Sequence, residues 1–216
     1  LSPRLAVTYF EQSGGEDQLS AAASELSRLS LDIGVGVEHL WNLFGDFTLG
    51  PGVRVDVWLP QSTDAFLTQD NHPEVSPRLI VHWDFESWRI YANAGRRHRF
   101  PTLLELYGDN IAIGPSPDLE SESGFFGDLG LGGELELDSD FEVNFGLTAF
   151  VSLPRNLIVF MQNSQKSVKA LNVAQSTIAG LESSVNAQFS WVGLNVHYSL
   201  IHARDTGDVA GLRGNT

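Results

Sequence analysis

Apolar and polar residues alternate with a period of two along most of this chain. In the clearest run, residues 123–137, leucines alternate with aspartate, glutamate and glycine. Successive side chains of a β-strand point to opposite faces, so this run predicts a strand with one apolar face and one polar or glycine-rich face. The same pattern predicts eight further strands, at residues 4–10, 28–41, 47–59, 78–85, 88–97, 141–153, 173–189 and 192–202, with an extension at 157–161.

The connections between these strands alternate in length. Turns of two to four residues are expected near 44–46, 86–87, 138–140 and 190–191, and long connections near 11–27, 60–75, 98–122, 154–172 and 203–216. Residues 18–27 also have the composition of one or two helical turns. Short turns at one rim and long loops at the other are typical of outer-membrane barrels and not of soluble sandwiches. We therefore predict an all-β fold, an antiparallel transmembrane β-barrel.

This interpretation assigns the two faces of each strand to different surroundings. One set of side chains should point outward to lipid, and the interleaved set should point inward to the lumen. The five tryptophans fall near predicted strand ends, where interfacial aromatic girdles lie. The outward set is Val53, Val55, Val57, Leu129, Leu131, Leu135, Phe145 and Leu147; the inward set is Arg54, Asp56, Glu134, Glu136 and Asn144; the tryptophans are Trp41, Trp58, Trp83, Trp88 and Trp191.

Composition and charge exclude several classes of protein. The net charge is −14 with no basic stripe, which argues against a nucleic-acid partner. There is no cysteine, so neither disulfides nor cysteine-based metal sites can form. No apolar run reaches the roughly 18 to 20 residues that a membrane-spanning helix needs, whereas barrel strands need only about 9 to 11 alternating residues.

Three motifs resemble segments of TonB-dependent outer-membrane receptors. RFPTLLELYG at 99–108 and PDLESESG at 117–124 are similar to two segments of that family, with Ser116 where the family usually has asparagine. The stretch 172–185, which contains IAGLE, is similar to a third. The resemblance implies a 22-stranded barrel around an N-terminal plug. Residues 1–216 would then be a partial barrel domain of about nine strands, and the plug, the TonB box and the closing strand have no counterpart here. We therefore expect a fragment.

Three function classes follow. The resemblance favours an active transport receptor in the outer membrane of a Gram-negative bacterium, which takes up a scarce ligand such as a siderophore-like chelate or cobalamin. Its expected partners are outer-membrane lipid, lipopolysaccharide, the small-molecule ligand and, through the missing plug, the TonB system. A passive porin-like channel is the alternative, and a soluble β protein with a binding face is the third. No catalytic motif is present, so we expect no enzyme activity and no cofactor.

The candidate ligand-binding residues are Arg96, Arg97, His98, Arg99 and Tyr107. The four consecutive basic residues, which we call the basic cluster, stand out in an acidic chain, and arginine suits carboxylate or phosphate groups. They could hold an anionic ligand, with Tyr107 as an aromatic surface for a flat chelate, or could pair with carboxylates of the wall or plug. The acidic set Asp118, Glu120 and Glu122 suggests a cation site or a solvated loop, and none of the six histidines has metal-ligand spacing.

Overall fold

The computed structural model describes residues 28–62, 72–109, 112–138, 141–162 and 167–206. The predicted strand at 4–10, the helical turns at 18–27 and the tail after residue 206 lie outside the described residues. Twelve strands and one short helix make up the described part. They are β1 Arg28–Glu38, β2 Trp41–Phe44, β3 Phe47–Ser62, β4 Glu74–Phe85, β5 Trp88–Arg99, α1 Leu103–Tyr107, β6 Ile113–Gly114, β7 Glu122–Asp138, β8 Phe141–Arg155, β9 Leu157–Gln162, β10 Val168–Ala174, β11 Ser176–Phe189 and β12 Val192–Asp205.

Nine of the strands form one antiparallel sheet. Its order is β1-β3-β4-β5-β7-β8-β11-β12, with β2 paired to β3 beside β1. Neighbours in the sheet follow one another along the chain, and the short turns at 86–87 and 190–191 join the hairpins β4–β5 and β11–β12. The predicted antiparallel fold is confirmed. Eight of the nine predicted strands belong to this sheet, and its ninth strand is β2, which begins at the end of the predicted strand 28–41. Antiparallel pairing in sequence order places the short turns at one rim and the long connections at the other.

The register separates the two faces as the alternation predicts. Val35 pairs with Val55, and Leu131 pairs with Leu147, on a face that we call the apolar face. Glu134 pairs with Asn144 on the opposite, polar face. Because the side-chain period in a strand is two, one correct register assigns the residues of a strand to their faces wherever that strand is paired on both sides.

The two predicted strands at 28–41 and 173–189 are each interrupted. The first ends at Glu38, and the chain resumes at Trp41 as β2 after the His39 amide donates to the Pro51 carbonyl. The second divides at Gln175: β11 continues the main sheet, whereas β10 pairs with β9 and β6 in a separate three-stranded sheet. The expected extension at 157–161 is β9, and it belongs to this smaller sheet.

A small buried cluster, the rim core, lies at the loop end of the sheet. It contains Trp58, Leu103, Leu106, Tyr107, Leu119, Ile158 and Ala170, and Leu106 is fully buried. Trp58 is 8% exposed and stacks on Phe100, so the prediction that it belongs to an interfacial girdle is wrong. The other four tryptophans are exposed near the turn end.

The helix α1 was not predicted, although its sequence contains its signal. Thr102 and Glu105 form a capping box: the Thr102 hydroxyl accepts from the Glu105 amide, and the Glu105 carboxylate accepts from the Thr102 amide at 2.7 Å. Gly108 ends the helix at φ 66°, and a Cβ there would overlap the Ile113 carbonyl. Glycine is required at this position for both reasons. The one helix in the described residues is too short to cross a membrane.

Candidate functional site

The basic cluster lies where β4 and β5 separate. Backbone pairing between these strands stops at Arg78 and Gly95, beyond which β4 pairs only with β3 and β5 pairs only with β7. A cavity of about 740 Å³ lies beside this separation. It is lined by the basic cluster, by residues 100–104, and by Ser30, Asp32, Arg54, Asp56, Trp58 and Ser76.

Side chains of the basic cluster replace the missing backbone pairs between β4 and β5. Arg96 donates to the Val75 carbonyl at 2.7 Å and to Glu74 at 2.8 Å. His98 Nδ1 lies 2.8 Å from the Ser76 hydroxyl, and its other ring nitrogen lies 3.5 Å from Asp56. Two of the four basic residues therefore hold neighbouring strands together.

Arg99 connects three segments of the rim. Its guanidinium binds Glu122 at the start of β7 with contacts of 2.5 and 2.9 Å, and Glu105 of α1 with contacts of 3.0 and 3.1 Å. Glu122 also accepts the Ile158 amide of β9 at 2.8 Å. Planar guanidinium groups suit such paired carboxylate contacts. Arg99 thus anchors the helix and the small sheet to the end of the main sheet.

Glu122 and Arg99 lie nearer the loop end than Phe125, which is the last exposed large apolar residue in that direction on β7. Burial alone would raise the pKa of Glu122, but the hydrogen bonds from Arg99 and from the Ile158 amide outweigh it and hold that pKa below its usual value. The hydrogen bond to Glu122 is the largest cause that raises the pKa of Arg99 further above its ordinary value. Both groups are therefore charged over the whole physiological pH range.

Arg97 differs from its neighbours. It is exposed, donates to the Ser152 hydroxyl at 2.6 Å and lies over the Phe126 ring at 5.2 Å. Within the described part of the chain it has no carboxylate partner. Its guanidinium consequently keeps most of its donors for another group, whereas Arg96 and Arg99 use theirs on carboxylates.

Tyr107 does not accompany the basic cluster. It is 3% exposed, belongs to the rim core and is not among the residues that line the cavity. The expectation that its ring offers a surface to a flat ligand does not fit this burial. Glu120 and Glu122 also have protein partners, since Glu120 accepts from Asn156 and Glu122 from Arg99. Among the described residues no group of three or more histidine, aspartate or glutamate side chains could hold a metal ion.

Three charged residues of the cavity were not among the predicted ligand-binding residues. Arg54 and Asp56 are two residues apart on one face of β3 and form an ion pair, with Nε–Oδ2 at 2.8 Å. Asp32 lines the same cavity. Gly34 lies opposite Asp56, and a Cβ at Gly34 would overlap this ion pair. The available signal was their position, since Asp32, Arg54 and Asp56 all fall on predicted inward positions near the loop end.

A family model for the β-barrel of TonB-dependent receptor-like proteins matches residues 8–216. The chain is also similar to solved structures. The FrpB iron transporter of Neisseria meningitidis shares 21% identity at a TM-score of 0.64, over 86% of this chain and 28% of that one. The copper transporter OprC shares 18% identity at a TM-score of 0.67, over 84% of this chain and 29% of that one. A third match is the Serratia marcescens hemophore receptor HasR, solved with its hemophore HasA and heme. It shares 15% identity at a TM-score of 0.64, over 82% of this chain and 34% of that one.

At these identities the structures show a shared fold. The chain spans about a third or less of the length of each of them, which agrees with the expected partial barrel. A search of curated proteins finds no match.

Proposed function

Because the chain belongs to the TonB-dependent receptor β-barrel family, we propose that it forms part of the wall of a Gram-negative outer-membrane receptor that takes up a scarce ligand with energy from TonB. The nine-stranded sheet supplies one sector of that wall, with its apolar face toward lipid and its polar face toward the lumen. The plug that would transmit the energy lies in another part of the receptor. The family and the matching transporters are transport proteins and not enzymes.

The observation that carries the ligand proposal is that Arg97 lines the cavity and, among the described residues, has no carboxylate partner. The ligand is an anionic small molecule, such as a siderophore-like chelate, and Arg97 binds its carboxylate or phenolate oxygens. The matching structures include iron, copper and heme systems, which supports a metal-containing ligand without selecting one. Arg96, His98 and Arg99 hold the strands and the helix that shape the cavity.

The test is uptake by cells that carry the receptor, with the ligand identified from a panel of metal chelates and cobalamin. Uptake should stop when the proton gradient is collapsed or TonB is removed. Energy-independent uptake would instead identify a passive channel and refute the proposal. Arg97→Gln should weaken binding about tenfold or more and should reduce its salt dependence, because a charge-assisted contact is lost. Unchanged affinity in a normally folded variant would exclude Arg97 from the ligand site.

A further inference from the structure

The cavity beside the basic cluster contains a carboxylate that no ion pair satisfies. Most of the charged residues that line the cavity lie beside an opposite charge: Arg54 and His98 beside Asp56, Arg96 beside Glu74, and Arg99 beside Glu105 and Glu122. Arg97 and Asp32 have no salt-bridge partner within the described part of the chain. The proposed function gives Arg97 a ligand contact, and Asp32 has no role in it.

The carboxylate of Asp32 lacks a donor for one of its oxygens. Asp32 lies on β1, and its Oδ1 is shielded from water and accepts no hydrogen bond in the described residues. The guanidinium of Arg54, on the neighbouring strand, directs two of its nitrogens to Asp56 instead. A carboxylate oxygen that is removed from water without a donor is costly. A cation that enters the cavity and binds Asp32 would remove that cost.

An aromatic and apolar wall adjoins this carboxylate. Asp32 is directly opposite Trp58 in the register, and the Cβ atoms of such pairs are about 4.5 to 5.5 Å apart. Trp58 stacks on Phe100 with ring centroids 5.6 Å apart, and the cavity is lined by both rings and by Pro101, Leu103 and Leu104. Hard metal ions prefer sites rich in oxygen, whereas an organic cation is bound by a carboxylate together with aromatic or apolar surface. The surroundings of Asp32 suit an organic cation.

We propose that Asp32, with Trp58 beside it, binds a protonated amine of the ligand. The ligand class is then a zwitterionic chelate, whose ammonium group binds Asp32 and whose anionic oxygens bind Arg97. These two residues are three strand positions apart, roughly 14 Å, and the cavity volume of about 740 Å³ is within the range of small-molecule sites. This inference rests on the proposed function, because it adds a cationic group to the ligand proposed for the same cavity.

The experiment uses a small probe for the amine site alone. The probe is 2-phenylethylammonium, which has a protonated amine and a flat ring, and 2-phenylethanol is its neutral counterpart. Binding to the purified intact receptor is measured by ligand-observed NMR titration, and a probe of this size should bind in about the millimolar range. The wild type should bind the ammonium about tenfold or more tightly than the alcohol, because only the ammonium makes a charge-assisted contact. Asp32→Asn should abolish this preference, and Asp32→Glu should keep most of it.

The matched control is Asp128→Asn. It removes the same charge from β7 outside the cavity, where Asp128 accepts from Asn93 at 3.0 Å. This variant should keep the wild-type preference for the ammonium. Because the chain has a net charge of −14, the control separates binding at Asp32 from the general attraction of a cation to an acidic protein.

The inference is overturned if the wild type binds the two probes equally, since Asp32 would then have a cationic partner elsewhere in the receptor. It is also overturned if Asp128→Asn loses the preference as fully as Asp32→Asn. Asp32→Ser is the second neutral variant if Asp32→Asn does not fold, and a preference that persists in either neutral variant refutes the role of Asp32. A receptor with TonB-driven uptake but no ammonium preference refutes only this inference. Uptake that is independent of energy refutes the proposed function, whatever the two probes show.

Discussion

Replacing Arg99 with glutamine tests whether the basic cluster contains a structural anchor and a ligand contact side by side. The substitution removes the cation from Glu105 and Glu122, whose side chains are only 9% and 17% exposed. Removing one partner of a fully buried pair costs about 3 to 5 kcal/mol. Because Arg99 is itself 41% exposed, water and salt screen part of this interaction, and we expect a loss of about 2 to 3 kcal/mol in the free energy of unfolding.

The matched control is Arg97→Gln, which removes the same charge two residues earlier. Arg97 has no carboxylate partner in the described residues, so we expect its free energy of unfolding to change by at most about 1 kcal/mol. Urea unfolding of the receptor in lipid vesicles, followed by tryptophan fluorescence, measures both variants. Trp58 stacks on Phe100 in the rim core and reports on the region that Arg99 anchors.

The difference between the wild type and Arg99→Gln should also depend on pH. The folded-state pKa of Glu122 is held below its usual value of 4.5, so this carboxylate contributes stability that is present above pH 4.5 and lost as pH falls through its folded pKa. The cost of Arg99→Gln should therefore be full at pH 7 and shrink below pH 4.5. A second change, Glu122→Gln, should restore part of the loss. The reasoning is refuted if Arg97→Gln destabilises as much as Arg99→Gln, or if the loss does not depend on pH.

Two further predictions concern the two faces of β7. A Cβ at Gly130 would overlap the Tyr91 ring, so Gly130→Ala should lower the free energy of unfolding by about 1 to 3 kcal/mol. At Gly132 the nearest atom to such a Cβ is 3.5 Å away, so Gly132→Ala should cost under about 1 kcal/mol. Equal costs of the two changes in urea unfolding would contradict this account. Leu131→Arg places a charge at mid-strand on the apolar face and should lower the free energy of unfolding by roughly 2 to 4 kcal/mol. Glu134→Arg, on the polar face, should lower it much less. A larger loss for Glu134→Arg than for Leu131→Arg in lipid vesicles would reverse the assignment of the faces.

The alternation of residues was sufficient to predict the sheet and its faces. A strand turns each successive side chain to the opposite side, so the period of two in 123–137 or 141–153 carries the face of every residue. The short turns were sufficient to pair the two strands of each hairpin, because a short turn can only join antiparallel neighbours. The motif 99–108 also contains the capping box of α1, formed by Thr102 and Glu105.

The roles within the basic cluster depended on the tertiary structure. Arg96, Arg97, His98 and Arg99 are adjacent in sequence and chemically similar, yet Glu74 and Glu122 lie more than twenty residues away and Ser152 more than fifty. No local pattern encodes which arginine meets a carboxylate, since that depends on where β4 and β5 separate and where α1 packs. The burial of Tyr107 and Trp58 followed from the same packing. Electrostatic partners are chosen by distance in space, and only the folded register brings those distances below 4 Å.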